Sequence, residues 1–132
     1  MPPGGKIKEG ESGIDCVIRE FREETGLVLK NPKLRAIVTF YNKDRVLGDK
    51  KDSEDWLVEV YEANSYTGEL KGESLKARPM WINDSDFKNR EMHEGDRRLI
   101  DFLYYEEKEG VFEVLVKYNG IRLEKFEQRR VA

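Results

Sequence analysis

The chain has 132 residues, 39% of them charged, yet 24 Lys and Arg set against 27 Asp and Glu leave a net charge of only -3. That length suits one domain with one core, spanning residues 1–132, and the balanced charge argues against a nucleic-acid polymer or a membrane surface as partner, since both select a basic excess. The one cysteine, Cys16, has no partner for an internal disulfide, no apolar run nears the ~20 residues of a membrane span and no signal-peptide pattern opens the chain, so a soluble, cytoplasmic protein is expected.

Ser12 is a candidate N-cap, and Ile14, Val17, Ile18 and Phe21 follow it at helical spacing. An amphipathic helix is therefore expected over about residues 13–25, stopped by Gly26. "KLRAIVTFYN" after Pro32, and later "DWLVEVYEA", have the β-branched and aromatic content of strands, while the polar "KDRVLGDKKDSE" between them reads as a loop. "GELKGESLKARPMWI" reads as a turn, a charged connection and a short strand ending near Ile82. "DSDFKN" suits one helical turn, and Asp96 suits the cap of a helix over about residues 97–107 that turns Leu99, Ile100, Phe102 and Leu103 inward. "VFEVLVKYNGIRLEKFE" alternates on either side of Asn119 and Gly120, a pair favoured in two-residue hairpin turns. Strands and helices interspersed without regular βα alternation imply a mixed α+β fold.

On a helical wheel Glu20, Glu23 and Glu24 fall within an arc of about 100°, away from Ile14, Val17, Ile18 and Phe21. Carboxylates so close repel by a few tenths of a kcal/mol per pair, and a cation among them would relieve that. Mg²⁺ suits: it accepts a few carboxylates, keeps several waters and bridges to phosphate oxygens. A solvated acidic helix face is the plain alternative in so Glu-rich a chain. Gly4 and Gly5, ahead of the helix, let the backbone approach a ligand or ion and offer it a carbonyl. Glu11 stands where loop becomes helix, Arg19 lies one turn before Glu23 and can orient it, and Cys16 falls on the polar side. With one His, His93, and one Cys there is no zinc set, and neither a P-loop nor a GxSxG elbow occurs.

Reading from Gly5, the chain runs through five residues, Glu11, seven residues, then Arg19, Glu20, Phe21, Arg22, Glu23, Glu24, Thr25, Gly26 and Leu27. Every specified position matches the Nudix box, GX5EX7REUXEEXGU with U aliphatic or aromatic, a coincidence on the order of one in ten million at a given start from ordinary residue usage. The sequence thus resembles the Nudix hydrolases. That resemblance implies an α/β/α sandwich with a mixed central sheet, Mg²⁺ or Mn²⁺ as cofactor, and cleavage of a nucleoside diphosphate linked to a further group. It implies Glu20 and Glu24, then Glu23, as metal ligands with the Gly4 carbonyl completing the set. Arg19 would orient the glutamates, Glu11 would support them, and Glu20 is the simplest proton acceptor.

The remainder resembles the MutT-like subgroup that acts on oxidised purine nucleoside triphosphates such as 8-oxo-dGTP, through "ARPMWI" and "MHEGD". This alignment makes Asp96 a base-recognising acid and puts His93 where relatives often carry Trp. The candidates for substrate binding are Gly5, Phe40, Tyr41, His93 and Asp96, with plain core packing the alternative for the two strand aromatics. Lys76 stands where relatives place a fourth metal-binding carboxylate, and Glu73, three residues earlier, is a substitute unless both are solvated charges. Trp56 and Trp81 read as core. Nudix domains carry one or two strands before the glycine pair, whereas Met1, Pro2 and Pro3 alone precede Gly4. The N-terminal strands are therefore expected to be missing, in a short form of the chain or one whose homodimer partner supplies a strand. Two classes of function follow from the resemblance: a hydrolase, cutting a nucleoside triphosphate to monophosphate and pyrophosphate or acting on a dinucleotide polyphosphate or nucleotide sugar, and a noncatalytic module that binds a nucleotide or protein. The intact box favours the enzyme.

Overall fold

The structure, a computed structural model, describes residues 3–43, 45–47, 50–52, 54–73, 79–106 and 109–132. They group into two compact units interleaved along the chain, Met1–Lys33 with Tyr61–Arg90, and Leu34–Val60 with Glu91–Ala132. The fold is mixed α+β, as its composition of elements required. Among the described residues no helix is long and apolar enough to cross a membrane.

In the first unit, residues 3–12 form no strand and lead into helix α1, Gly13–Thr25. Its ends lie where local chemistry puts them. The Ser12 hydroxyl accepts the Asp15 amide and the Asp15 carboxylate accepts the Ser12 amide, both at 3.1 Å, a reciprocal capping box. Gly26, with φ 82°, closes the helix in the left-handed conformation and donates its N–H to the Arg22 carbonyl at 2.8 Å. Strand β1, Val28–Lys30, follows at once and pairs antiparallel with β6, Ser65–Thr67. Three-residue strands are too short to show a period, and neither was expected. Helix α2, Asp84–Lys88, is capped by Asn83, whose side-chain oxygen accepts the Asp86 amide at 2.9 Å.

Two expectations fail in this unit. Residues 79–82 carry no strand, and residues 74–78 lie outside the described residues. Without a ladder to turn it inward, Trp81 is 63% exposed and rests against the Tyr66 ring, centroids 5.3 Å apart, instead of joining a core.

The second unit is built on a four-stranded sheet in the order β5-β2-β7-β8, where β2 is Lys33–Lys43, β5 Trp56–Glu62, β7 Phe112–Asn119 and β8 Arg122–Arg130. β2 runs parallel to β7 and β7 antiparallel to β8, so the sheet is mixed. The polar run between β2 and β5 is more than a loop: β3, Arg45–Leu47, pairs antiparallel with β4, Lys50–Asp52. Backbone pairing there needs no apolar alternation, which is why side-chain pattern gave no warning. Trp56, at the start of β5, is 38% exposed instead of core.

The core is legible in β7, where Phe112, Val114, Val116 and Tyr118 point inward while Glu113 and Lys117 point out. They pack with Ala36 and Val38 of β2 and with Leu99, Phe102 and Leu103. The last three come from helix α3, Glu94–Ile100, and a π-helical continuation, Asp101–Tyr105, closed by Glu106 N–H to the Asp101 carbonyl at 2.8 Å. This helix begins three residues earlier than expected: His93 holds the N-cap position and Asp96 sits in the first turn. The reason is tertiary, since the Gly95 amide finds its acceptor in the Tyr118 hydroxyl, 2.8 Å away on β7. The final hairpin also turns one residue late, at Gly120 and Ile121, because Asn119 still pairs with Arg122. Gly120, φ 62°, takes the first turn position, the place a type II′ turn reserves for glycine.

Candidate functional site

The loop of residues 4–11 lies against part of the polar side of α1, over Cys16, Arg19 and Glu20, and leaves Glu23 exposed. Arg19 is the hub. Its Nε and Nη2 donate to the two Glu11 oxygens at 2.6 and 3.0 Å, and its Nη1 donates to Glu20 Oε1 at 2.8 Å and to Glu23 at 3.3 Å. Nη2 also donates to the Lys6 carbonyl at 3.1 Å. The Arg19, Glu11 and Glu20 side chains are 20%, 17% and 17% exposed, against 54% for Glu23, so the first three are fixed and the last is loosely held. A bidentate guanidinium–carboxylate fork of this kind fixes orientation as well as distance.

Electrostatics follow the geometry. Glu11 has its pKa lowered from 4.5 to about 2, first by the hydrogen bonds from Arg19 and then by the Lys8 amide, which it accepts at 2.8 Å. Arg19 is pushed further above its ordinary value by Glu11 and Glu20, so it stays charged. Cys16, read as lying on the polar side, is buried beneath the loop; its thiol donates weakly to the Gly5 carbonyl at 3.8 Å, and burial raises its pKa.

The Glu20 carboxylate lies directly against Gly5; a Cβ there would push that group aside, Oε2 being 2.7 Å away. Gly4 has open space around its Cα and is exposed, so no steric demand singles it out. Glu24, half-buried one turn beyond Glu20, has no ion-pair partner among the described residues. Glu73 is exposed, and Lys76 lies outside the described residues. Sequence reasoning missed the backbone share of the site, the Lys6 carbonyl and the Lys8 amide, because main-chain groups leave no mark in residue type. It also missed Lys71, whose ammonium donates to the Glu23 carbonyl and whose own amide donates to the Thr25 carbonyl at 2.8 Å.

Among the described residues no three His, Cys, Asp or Glu side chains converge tightly enough to form a ready metal cage. The donor set nevertheless fits a hard divalent ion. Mg²⁺ binds through one or two carboxylates and keeps several waters. Glu20 commits Oε1 to Arg19 and leaves Oε2 uncommitted among the described residues, with Glu24 one turn away.

The remaining candidates belong to the second unit. Phe40 is half-buried and packs against the core, as its plain reading held, whereas Tyr41 is 42% exposed. His93 is exposed at the α3 N-cap position with its ring edge-on to Tyr118, centroids 6.4 Å apart. Asp96 is half-buried one turn later.

The NUDIX domain family model matches residues 2–104. The uncharacterized Nudix hydrolase YvcI of Bacillus subtilis (strain 168) is 44% identical over 103 residues, which are 78% of this chain and 63% of that protein, so the chain spans less than two thirds of this curated relative's length. A crystal structure of a mutator MutT protein from Bacillus halodurans superposes with a TM-score of 0.78 at 26% identity, covering 96% of this chain and 79% of the other.

Proposed function

The chain belongs to the Nudix family, and from that premise we propose that it is a Mg²⁺- or Mn²⁺-dependent hydrolase that cleaves the pyrophosphate linkage of a nucleoside triphosphate, with an oxidised purine such as 8-oxo-dGTP as the favoured base. The observation that carries the reading is the Arg19 hub, which fixes Glu11 and Glu20 and reaches the more exposed Glu23 at 3.3 Å, beside a glycine loop.

Glu20 and Glu24, with Glu23 and the Gly4 carbonyl, would hold the ion, which when bound neutralises phosphate charge and acidifies water. The protein's own groups do the rest. Arg19 draws Oε1 of Glu20 toward itself and so orients the carboxylate, and Glu20 is the simplest acceptor for the proton of the attacking water. Glu11, ionised at all ordinary pH, keeps Arg19 in place. Gly5 lets the loop backbone lie against the carboxylate. Base recognition is assigned to His93 and Asp96 on the ground of their motif positions, with the exposed Tyr41 of β2 as a further aromatic candidate.

The test is hydrolysis of dGTP and 8-oxo-dGTP with monophosphate and pyrophosphate quantified, in Mg²⁺ and after its removal by chelation. Turnover should vanish without the ion, and Glu20→Gln and Glu24→Gln should each abolish most of it while the circular-dichroism spectrum stays that of the parent. Near-parental rates in both variants would remove the metal-site reading. Diadenosine polyphosphates and nucleotide sugars in the same panel decide the leaving group.

A further inference from the structure

Helix α3 lacks the local cap that the chemistry of its start demands. The first amides of a helix have no partner within it, and a polar side chain at the N-cap normally takes one of them. His93 occupies that position and makes no side-chain cap bond. The missing acceptor comes from another element: the hydroxyl of Tyr118, 1% exposed near the end of β7, accepts the Gly95 N–H at 2.8 Å. Gly95 is itself buried, and any Cβ there would strike the Tyr118 hydroxyl and lie 2.7 Å from Val116 Cγ1. The helix start is therefore pressed against the strand at a distance that only glycine permits.

Beside that hydroxyl the strand pairing is irregular. Between Lys117 and Tyr118 the β7–β8 register shifts, Lys117 facing Lys125 and Tyr118 facing Leu123, so that Glu124 of β8 is the extra residue of a bulge. A bulge bends the strand that carries it, here β8. This one is pinned: the Glu124 carboxylate takes a hydrogen bond from the Asn119 amide at 3.1 Å and ion-pairs with Arg122 at 3.4 Å and Lys117 at 3.8 Å.

From this we infer that Tyr118 is a positioning residue for substrate recognition: its buried hydroxyl caps α3 from outside and thereby fixes His93 and Asp96, which flank Gly95, in the orientation that reads the base. The inference rests on the assignment of His93 and Asp96 as base contacts in the proposed function. Tyr118 touches no reacting atom in this account; its effect passes through the helix start, so it belongs to KM and not to kcat.

Tyr118→Phe removes one oxygen and keeps the ring. The comparison is Val114→Ala, which opens a cavity in the same core at a side chain that is not among the atoms nearest Gly95. Three readouts separate positioning from mere stability. Amide exchange at Gly95 should accelerate in Tyr118→Phe relative to neighbouring core amides; a parental rate overturns the inference. KM for 8-oxo-dGTP should rise about three- to tenfold with kcat within about twofold, the size expected for losing one aligned hydrogen bond, while Val114→Ala leaves KM unchanged; equal shifts in both variants overturn it. Calorimetric titration with dGMP, which carries a base but no pyrophosphate to cleave, should show the same weakening. If the parent hydrolyses nothing yet binds dGMP more tightly than Tyr118→Phe, the hydrolase reading falls and the positioning role stands; if dGMP binds both proteins equally, the positioning role falls.

Discussion

Single side chains carry the sharpest consequences. Gly5 has the Glu20 carboxylate pressed against it, so Gly5→Ala should displace Glu20 and cost about 100-fold in turnover, the scale of a misplaced reacting group, with little change in the folded spectrum. Glu11 predicts a pH signature. Its folded pKa is lowered from 4.5 to about 2, so its bond to Arg19 adds stability that is fully present above pH 4.5 and is lost as pH falls from 4.5 toward 2. The gap in melting temperature between the parent and Glu11→Gln should therefore be constant from neutral pH down to about 5 and close below it. A gap that widened on acidification would contradict the assignment. These residue types, and Arg19 as the group that orients Glu23, were readable in the sequence; that Arg19 also forks onto Glu11 and reaches the Lys6 carbonyl was not, because the loop's path over the helix is set by backbone contacts.

Among the elements, legibility followed locality. Helix α1 begins and ends as its sequence announces because both caps are built from residues within four positions of each other. Ser12→Ala should accordingly lower stability in urea by about 1 kcal/mol, and the loss should fall on the helix and leave the β7–β8 hairpin amides as slow to exchange as before. Helix α3 starts three residues before its expected place and the last hairpin turns one residue late, and both depend on pairing partners that no local pattern names: the Tyr118 hydroxyl takes the Gly95 amide across the core, and Asn119 pairs with Arg122. The ribbon of β3 and β4 and the pair of β1 and β6 are three-residue strands, below the length at which alternation can be recognised.

For the chain in its entirety, burial is uneven. The fully enclosed large side chains, Tyr118, Val38 and Val116, all lie in the β2–β7 region, whereas α1 buries only Cys16 and Thr25 and leaves Ile14 45% exposed. Amide exchange in the folded protein should therefore be slowest in β2 and β7 and faster by an order of magnitude or more in α1, because opening free energy tracks buried apolar contact. Equal protection in both would mean that the helix is held by more than its described contacts.

Short-range chemistry was settled by residue order alone: the capping box, the glycine stop, the inward alternation of β7, and a carboxylate helix behind a glycine loop that marks the family. Each depends on neighbours in the chain, so spacing suffices to specify it. Folding had to decide the rest. It placed Cys16 beneath a loop, exposed Trp81, turned Arg19 toward Glu11 and the Lys6 carbonyl and set Tyr118 against Gly95, 23 positions away. Contacts between distant segments depend on how strands register and where bulges fall, and no local pattern of residues encodes that.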